Sequence, residues 1–271
     1  MCIRDSTRIV GSFLGEDALA AVGATSTLSG LIIGFLLGLS NGFAIITAQK
    51  FGAKNIADMK KSFAMSLVIG TGISILFTIA GLLFLKPILH FLNVPKHLVP
   101  VAKGYIAIII AGLLATFLYD ACAATLRAIG DAVTPLIILA ISVALNIVGD
   151  LFFVVVLKTG VKGAAIATVL AQIIAFVICW IYMIRKYEIL RLQKEDFKDP
   201  SPIMVKEMIS AGMSMGFMSS LVNIGTLTLQ TAINKLGKDI IIAHTAARKI
   251  TEIFMIMFSV FAVSYTHLRA H

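Results

Sequence analysis

Residues 136–157 read LIILAISVALNIVGDLFFVVVL. As an α-helix this run rises about 1.5 Å per residue, about 33 Å in all, enough to cross the hydrocarbon core of a bilayer. Near its middle Asn146 and Asp150 stand four residues apart in this apolar run. Residues four apart share a helix face. One polar line therefore runs down an otherwise greasy helix, which is how a membrane span inside a bundle reads, as opposed to one surrounded by lipid.

The rest of the chain follows the same rule. Of its 271 residues, 59% are hydrophobic and 14% charged, well below the roughly 25% charge that covers a soluble domain. Six further apolar runs, near 25–48, 62–85, 101–123, 164–184, 207–233 and 240–263, are each predicted to span a membrane. The connections are short except for 185–206, which is charged, contains Asp199-Pro200-Ser201-Pro202, and reads as a linker between two bundles. A net charge of +9 would suggest nucleic acid in a soluble protein. Here the basic residues sit in loops, so no nucleic-acid partner is expected and the bilayer is. Loops 49–61 and 124–135 and the linker hold eleven Lys and Arg residues, against seven in the alternate loops. The first group is therefore expected to be cytoplasmic. Cys2, Cys122 and Cys179 form no metal or disulfide pattern. No nucleophile motif or phosphate loop appears, so an enzyme is not expected, nor any cofactor.

Four constellations carry the chemistry. Asn146 and Asp150 share a face inside the span quoted above. A carboxylate there costs about 3 kcal/mol or more unless paired, hydrated or protonated, which suits it to take a proton or hold a small cation, a sodium ion included. In the next span Thr168 and Gln172 share a face beside small residues. The run 207–233 places Gly212, Gly216, Ser219, Asn223, Thr226 and Gln230 at steps of three and four, a polar stripe facing a neighbour or a cavity. Met215 lies in the same methionine-rich segment, adaptable apolar surface of the kind that takes varied ligands. Arg248, with His244 and Glu252, adds charge to the last run. Gln172, Asn223, Thr226, Gln230, Met215 and Arg248 are the candidates to line a substrate cavity. Finally, Gly30, Gly34, Gly38 and Gly42 make a stripe of small residues, read first as a helix-packing surface. Leu14–Ala21 and Leu236–Ala243 agree at four of eight positions, a short internal repeat fitting a two-lobed transporter.

Five stretches, in this order, resemble the multidrug and toxic compound extrusion (MATE) family: LGEDALAAVG (14–23), GLSNGFAIITAQKFG (38–52), LRAIGDAVTPL (126–136), ALNIVGDLFF (144–153) and GVKGAAIATV (160–169). The resemblance covers about residues 8–263. It implies an all-α membrane protein, a polytopic helical bundle with one nearly complete six-helix lobe (8–184), a cytoplasmic linker (185–206) and the first two helices of a second lobe (207–263). Residues 1–7 and 264–271 are read as non-native tails, and the chain as an internal fragment holding helices two to eight of twelve, which should not transport by itself. The implied function is a secondary antiporter exporting organic, often cationic, compounds against protons or sodium ions. The implied setting is a prokaryotic plasma membrane, multi-pass, monomeric when full length. The coupling site implied by the family is Asp150, Asn146 and Thr168, completed by an Asp on the missing first helix. Gly149 departs from the family, where a bulky aliphatic is common, and Ser214 stands where a Pro is common. The alternative is a flippase for lipid-linked saccharides, which needs a strongly cationic cavity.

Overall fold

The computed structural model describes residues 16–91 and 98–234, with isolated positions at 247, 251 and 254. The described residues form helices and turns with no strand. In chain order the helices are α1 (Glu16–Gly52), α2 (Ile56–Leu83), α3 (Leu85–Phe91), α4 (Val99–Ala111), α5 (Leu113–Ala128), α6 (Val133–Asp150), α7 (Val161–Lys186) and α8 (Pro202–Asn234). Four helical segments are long and apolar enough to cross a membrane: Ala21–Gly52, Ile56–Leu83, Val133–Val156 and Val161–Lys186. The pair α4–α5, bent by 42°, makes a fifth if taken as one span. Each predicted run from 25–48 to 207–233 lies on one helix or on two helical segments in succession, and most helices outrun the expectation because they continue past the apolar core. α8 is as long as the others, but its polar stripe keeps it out of the four. The predicted span 240–263, Arg248 with it, and the second copy of the internal repeat lie outside the described residues.

The boundaries follow from local chemistry. Between α1 and α2 the chain turns through Lys54, whose φ is +59°, and Asn55 then caps α2 by accepting a hydrogen bond from the Asp58 N–H at 3.1 Å. α4 starts with Pro100 in its first turn, where a missing N–H costs nothing. The bend falls at Gly112, where a Cβ would come within 2.4 Å of a Val169 methyl of α7. Gly130, with φ +95°, turns the chain into α6. There Asp131 accepts from the Thr134 N–H at 3.0 Å and from the Tyr187 hydroxyl at 2.7 Å. Burial opposes ionisation of Asp131. Its hydrogen bonds from Thr134 and Tyr187 and the nearby Lys186 charge outweigh that and hold its carboxyl below the usual carboxylate range.

By contacts, the chain divides into a unit Met1–Asn223 and a unit Ile224–His271. In the first unit α6 packs on α7, α5 on α1 and α7, and α1 on α2. Phe35, Leu36, Leu39, Phe43, Tyr105 and Phe117 are in its main buried cluster, and Met59, Phe63, Cys122, Cys179 and Leu190 in a second. The second cluster lies where loops 49–61 and 124–135 meet the start of the linker, so the basic loops gather at one end. The linker's opening 3₁₀ turns, Glu188–Leu190 and Lys194–Phe197, pack against α2, and Leu190 is fully buried. Large apolar side chains face outward elsewhere: Leu76, Leu83, Val133, Leu136 and Ile203 are each more than 60% exposed. A water-soluble monomer rarely exposes so much; a membrane protein presents it to lipid.

The glycine stripe of α1 meets the small residues of α8. A Cβ on Gly38 would fall 2.4 Å from the Met215 carbonyl oxygen, and one on Gly42 would fall 2.5 Å from the Gly212 Cα. Gly34 faces the Asn223 amide in the same way, whereas Gly30 has nothing within 4 Å of the equivalent point. Gly30 contributes its carbonyl instead, accepting from Asn223 Nδ2 at 3.3 Å. In return, Gly212 and Gly216 leave room for the rings of Phe43 and Phe35. Gly38 and Gly42 thus act by close backbone approach, and Gly34 by making room for a side chain.

Candidate functional site

The buried residues of α6 are Pro135, Ile138, Ser142, Asn146 and Asp150, a line of one residue per turn. It meets the small-residue face of α7, where Gly163, Ala164, Ala167, Thr168, Ala171 and Ala175 are buried. Gly149 brings the helices together: a Cβ there would sit 3.0 Å from the Ala167 Cβ, tighter than ordinary contact. This gives a physical reason for glycine where the family often has a bulky aliphatic.

Along this seam the polar side chains are oriented by hydrogen bonds. Ser142 Oγ donates to the Ala171 carbonyl at 3.4 Å. Asn146 Nδ2 donates to Thr168 Oγ1 at 3.1 Å, and Thr168 Oγ1 donates in turn to the Ala164 carbonyl at 2.9 Å. The threonine hydroxyl therefore serves both as a lock on its own backbone and as the partner of Asn146. Asn146 and Asp150 are 0% exposed and Thr168 is 7% exposed. Asp150 ends α6, and the next six residues, Leu151–Val156, form a π-helix. A π-turn inserts an extra residue into the ladder and re-aims what precedes and follows it, often at functional sites. A carboxylate, a carboxamide and a hydroxyl are collected in an apolar surround, all of them oxygen-bearing groups of the kind that small hard cations take.

One buried polar group had no signal in the sequence. Tyr105 of α4 is fully buried, and its hydroxyl has no hydrogen-bond partner among the described residues. In the one-dimensional pattern it is merely one more large residue on an apolar helix; it is buried in the main cluster of a bundle in which α4 packs against α7.

The other candidates disperse. Gln172 is one turn beyond Thr168 on α7, half-buried, with its Oε1 unpartnered among the described residues. Met215 and Asn223 belong to the seam with α1, where Asn223 Nδ2 also donates to the Ser219 carbonyl at 3.0 Å. Thr226 is half-buried in the second unit. The Gln230 side chain and Arg248 lie outside the described residues. Among the described residues no group of three or more His, Cys, Asp or Glu side chains is placed to hold a metal.

Comparison with known proteins adds the family. The model of the family described as MatE matches residues 6–152. The probable multidrug resistance protein YpnP of Bacillus subtilis is 32% identical over 90% of this chain and 54% of its own length. The probable multidrug resistance protein NorM of Oceanobacillus iheyensis is 25% identical over 89% of this chain and 55% of its own. The chain thus spans about half the length of the curated relatives it matches. A crystal structure of MATE in the bent conformation superimposes with a TM-score of 0.83, at 24% identity, over 93% of this chain and 56% of that one. The outward-facing conformation of a multidrug resistance MATE family transporter gives 0.82, at 23% identity, over 92% of this chain and 55% of that one. These structures share the fold.

Proposed function

This chain belongs to the MatE family, whose members are transporters and not enzymes, and on that premise we propose that it forms part of a secondary antiporter. In this reading it exports organic, often cationic, compounds in exchange for protons or sodium ions. Asp150 takes the coupling cation, and Asn146 and Thr168 shape its site. The observation that carries the reading is the fully buried carboxylate of Asp150, beside an Asn146–Thr168 hydrogen bond and at the start of a π-turn. A buried carboxylate in a membrane span is costly, and a site that is charged in one state and neutralised in another uses that cost to couple ion binding to a conformational change.

Residues 8–184 would form most of one lobe, 185–206 the cytoplasmic linker, and 207–263 the start of a second lobe, with the full protein acting as a monomer. Gln172, Met215, Asn223, Thr226, Gln230 and Arg248 are proposed to contribute to substrate contact. The relatives named above are drug-resistance proteins by name, which weighs against a saccharide-lipid flippase. The test is transport by the full-length protein in proteoliposomes. Asp150→Asn should abolish cation-driven efflux of a cationic dye while leaving insertion unchanged; efflux at the unsubstituted rate sinks the coupling role. Imposing a pH gradient or a sodium gradient separately identifies the ion.

A further inference from the structure

The C-terminal half of α7 carries two surface grooves with one arginine between them. The first, about 540 Å³, is lined by Ile178, Ile181, Tyr182, Arg185 and Lys186. The second, about 420 Å³, is lined by Trp180, Ile184, Arg185, Arg191 and Leu192. Both are apolar towards the body of the helix and basic at its end. Ile178, Ile181 and Arg185 are spaced by three and four, so they form one stripe along the last two turns of the helix. Ile181 is 41% exposed, and α7 is one of the helices long and apolar enough to cross the membrane.

The charges at the rim are unequal. Lys186 is 3.6 Å from Asp131 and donates to the Tyr182 hydroxyl. Arg191 is 3.6 Å from Glu188 and gives its Nε–H to the Ile184 carbonyl at 2.8 Å. Arg185 is exposed and enters no ion pair among the described residues. An arginine offers a planar fork of N–H donors matched to the oxygens of a phosphate. Trp180 and Tyr182 line the grooves with it, the amphipathic aromatics that settle at the level of lipid headgroups. An apolar groove opening, at the end of a helix able to cross the membrane, onto a guanidinium with no ion pair among the described residues matches an anionic lipid in both its halves.

We propose that this face of α7 is a binding site for an anionic phospholipid, its acyl chain on Ile178 and Ile181 and its phosphate on Arg185, with Lys186 adding charge. The assignment rests on membrane placement and charge complementarity, and is independent of the transported substrate or coupling ion. Such a lipid would bind beside the first turns of the linker, which Arg191 and Leu192 join to the second groove.

The chain's single tryptophan supplies the probe, since Trp180 lines the second groove. The experiment uses the full-length protein with Trp180 as its only tryptophan, reconstituted in phosphatidylcholine containing increasing fractions of brominated phosphatidylglycerol or brominated phosphatidylcholine. Tryptophan quenching by brominated chains reports which lipid occupies the adjacent position. Brominated phosphatidylglycerol is expected to compete about fivefold better than its zwitterionic counterpart, the scale of one basic side chain's attraction for an anionic lipid. Arg185→Gln should bring that ratio close to one, Arg185→Lys should keep part of it, and Lys198→Gln in the distal linker should leave it unchanged. Equal quenching by the two lipids overturns the proposal. So does a preference that survives Arg185→Gln, or an absence of quenching, which would mean that protein covers the groove.

Discussion

Thr168 shows how much one side chain can hold. Its hydroxyl accepts from Asn146 and donates to the Ala164 carbonyl, so replacing it acts on two helices at once. Thr168→Val preserves shape and removes both bonds, leaving a buried carboxamide donor short of its partner. A group stranded in this way costs about 1–3 kcal/mol. Thr168→Ser keeps the oxygen and should restore most of the loss. The measurement is the thermal unfolding midpoint of the purified protein alongside ion-driven transport: both should fall for Val and recover for Ser. A valine variant as stable and as active as the unsubstituted protein would remove the hydroxyl from the account. The pair Asn146–Asp150 was legible in the sequence, because an amide and an acid four apart stand out in an otherwise apolar run. The unpartnered hydroxyl of the buried Tyr105 was not, since nothing in the pattern distinguishes a tyrosine whose hydroxyl is buried from one whose hydroxyl reaches the surface until a second helix is laid against it.

At the scale of the element, the stripe Gly30–Gly34–Gly38–Gly42 was legible as a packing surface, and its partner as a polar stripe on α8. What the sequence could not supply was that the two stripes meet, or where the contact stops. A periodic pattern is uniform along a helix, whereas two helices crossing at an angle touch over a limited length. The contact includes Gly34, Gly38 and Gly42 and leaves Gly30 open. Side chains therefore should not be interchangeable along the stripe. Gly42→Val places a branched side chain against the Ala211 carbonyl and Gly212 Cα, a backbone that cannot step aside, and should cost about 1–3 kcal/mol. Gly30→Ala meets nothing within 4 Å and removes glycine's helix penalty, so it should be neutral or stabilising by up to about 1 kcal/mol. Denaturant titration followed by circular dichroism separates these cases, and equal losses at the two positions would mean that the seam is not set by close approach. The π-turn after Asp150 is likewise absent from the sequence pattern, because LFFVVV reads as continuous helix or strand and the widened ladder depends on what α7 presents.

For the whole molecule, the arrangement of charge decides which way the bundle faces. The structure draws loops 49–61 and 124–135 and the linker to one end: Asp131 of the second loop bonds Tyr187 at the linker's start, and the linker's 3₁₀ turns lie on α2. Residues at the ends of α4 and α7 mark the opposite end, where Gly104 packs against the Lys162 side chain. Of the seven lysines of the alternate loops, Lys86, Lys103, Lys158 and Lys162 are among the described residues, and the charge bias read from the sequence leads us to expect the end that holds loops 49–61 and 124–135 in the cytoplasm. The orientation can be read by labelling single cysteines in a background with the native cysteines replaced by alanine. Ala53 and Lys103 are both exposed and belong to opposite ends. In intact cells a membrane-impermeant maleimide should label Lys103→Cys and spare Ala53→Cys, and both should react once the membrane is opened. The reverse pattern would invert the topology and place the Arg185 groove in the outer leaflet. The direction of the ion gradient that Asp150 is proposed to use would then have to be reversed, while the packing of α6 on α7 would stand as it is.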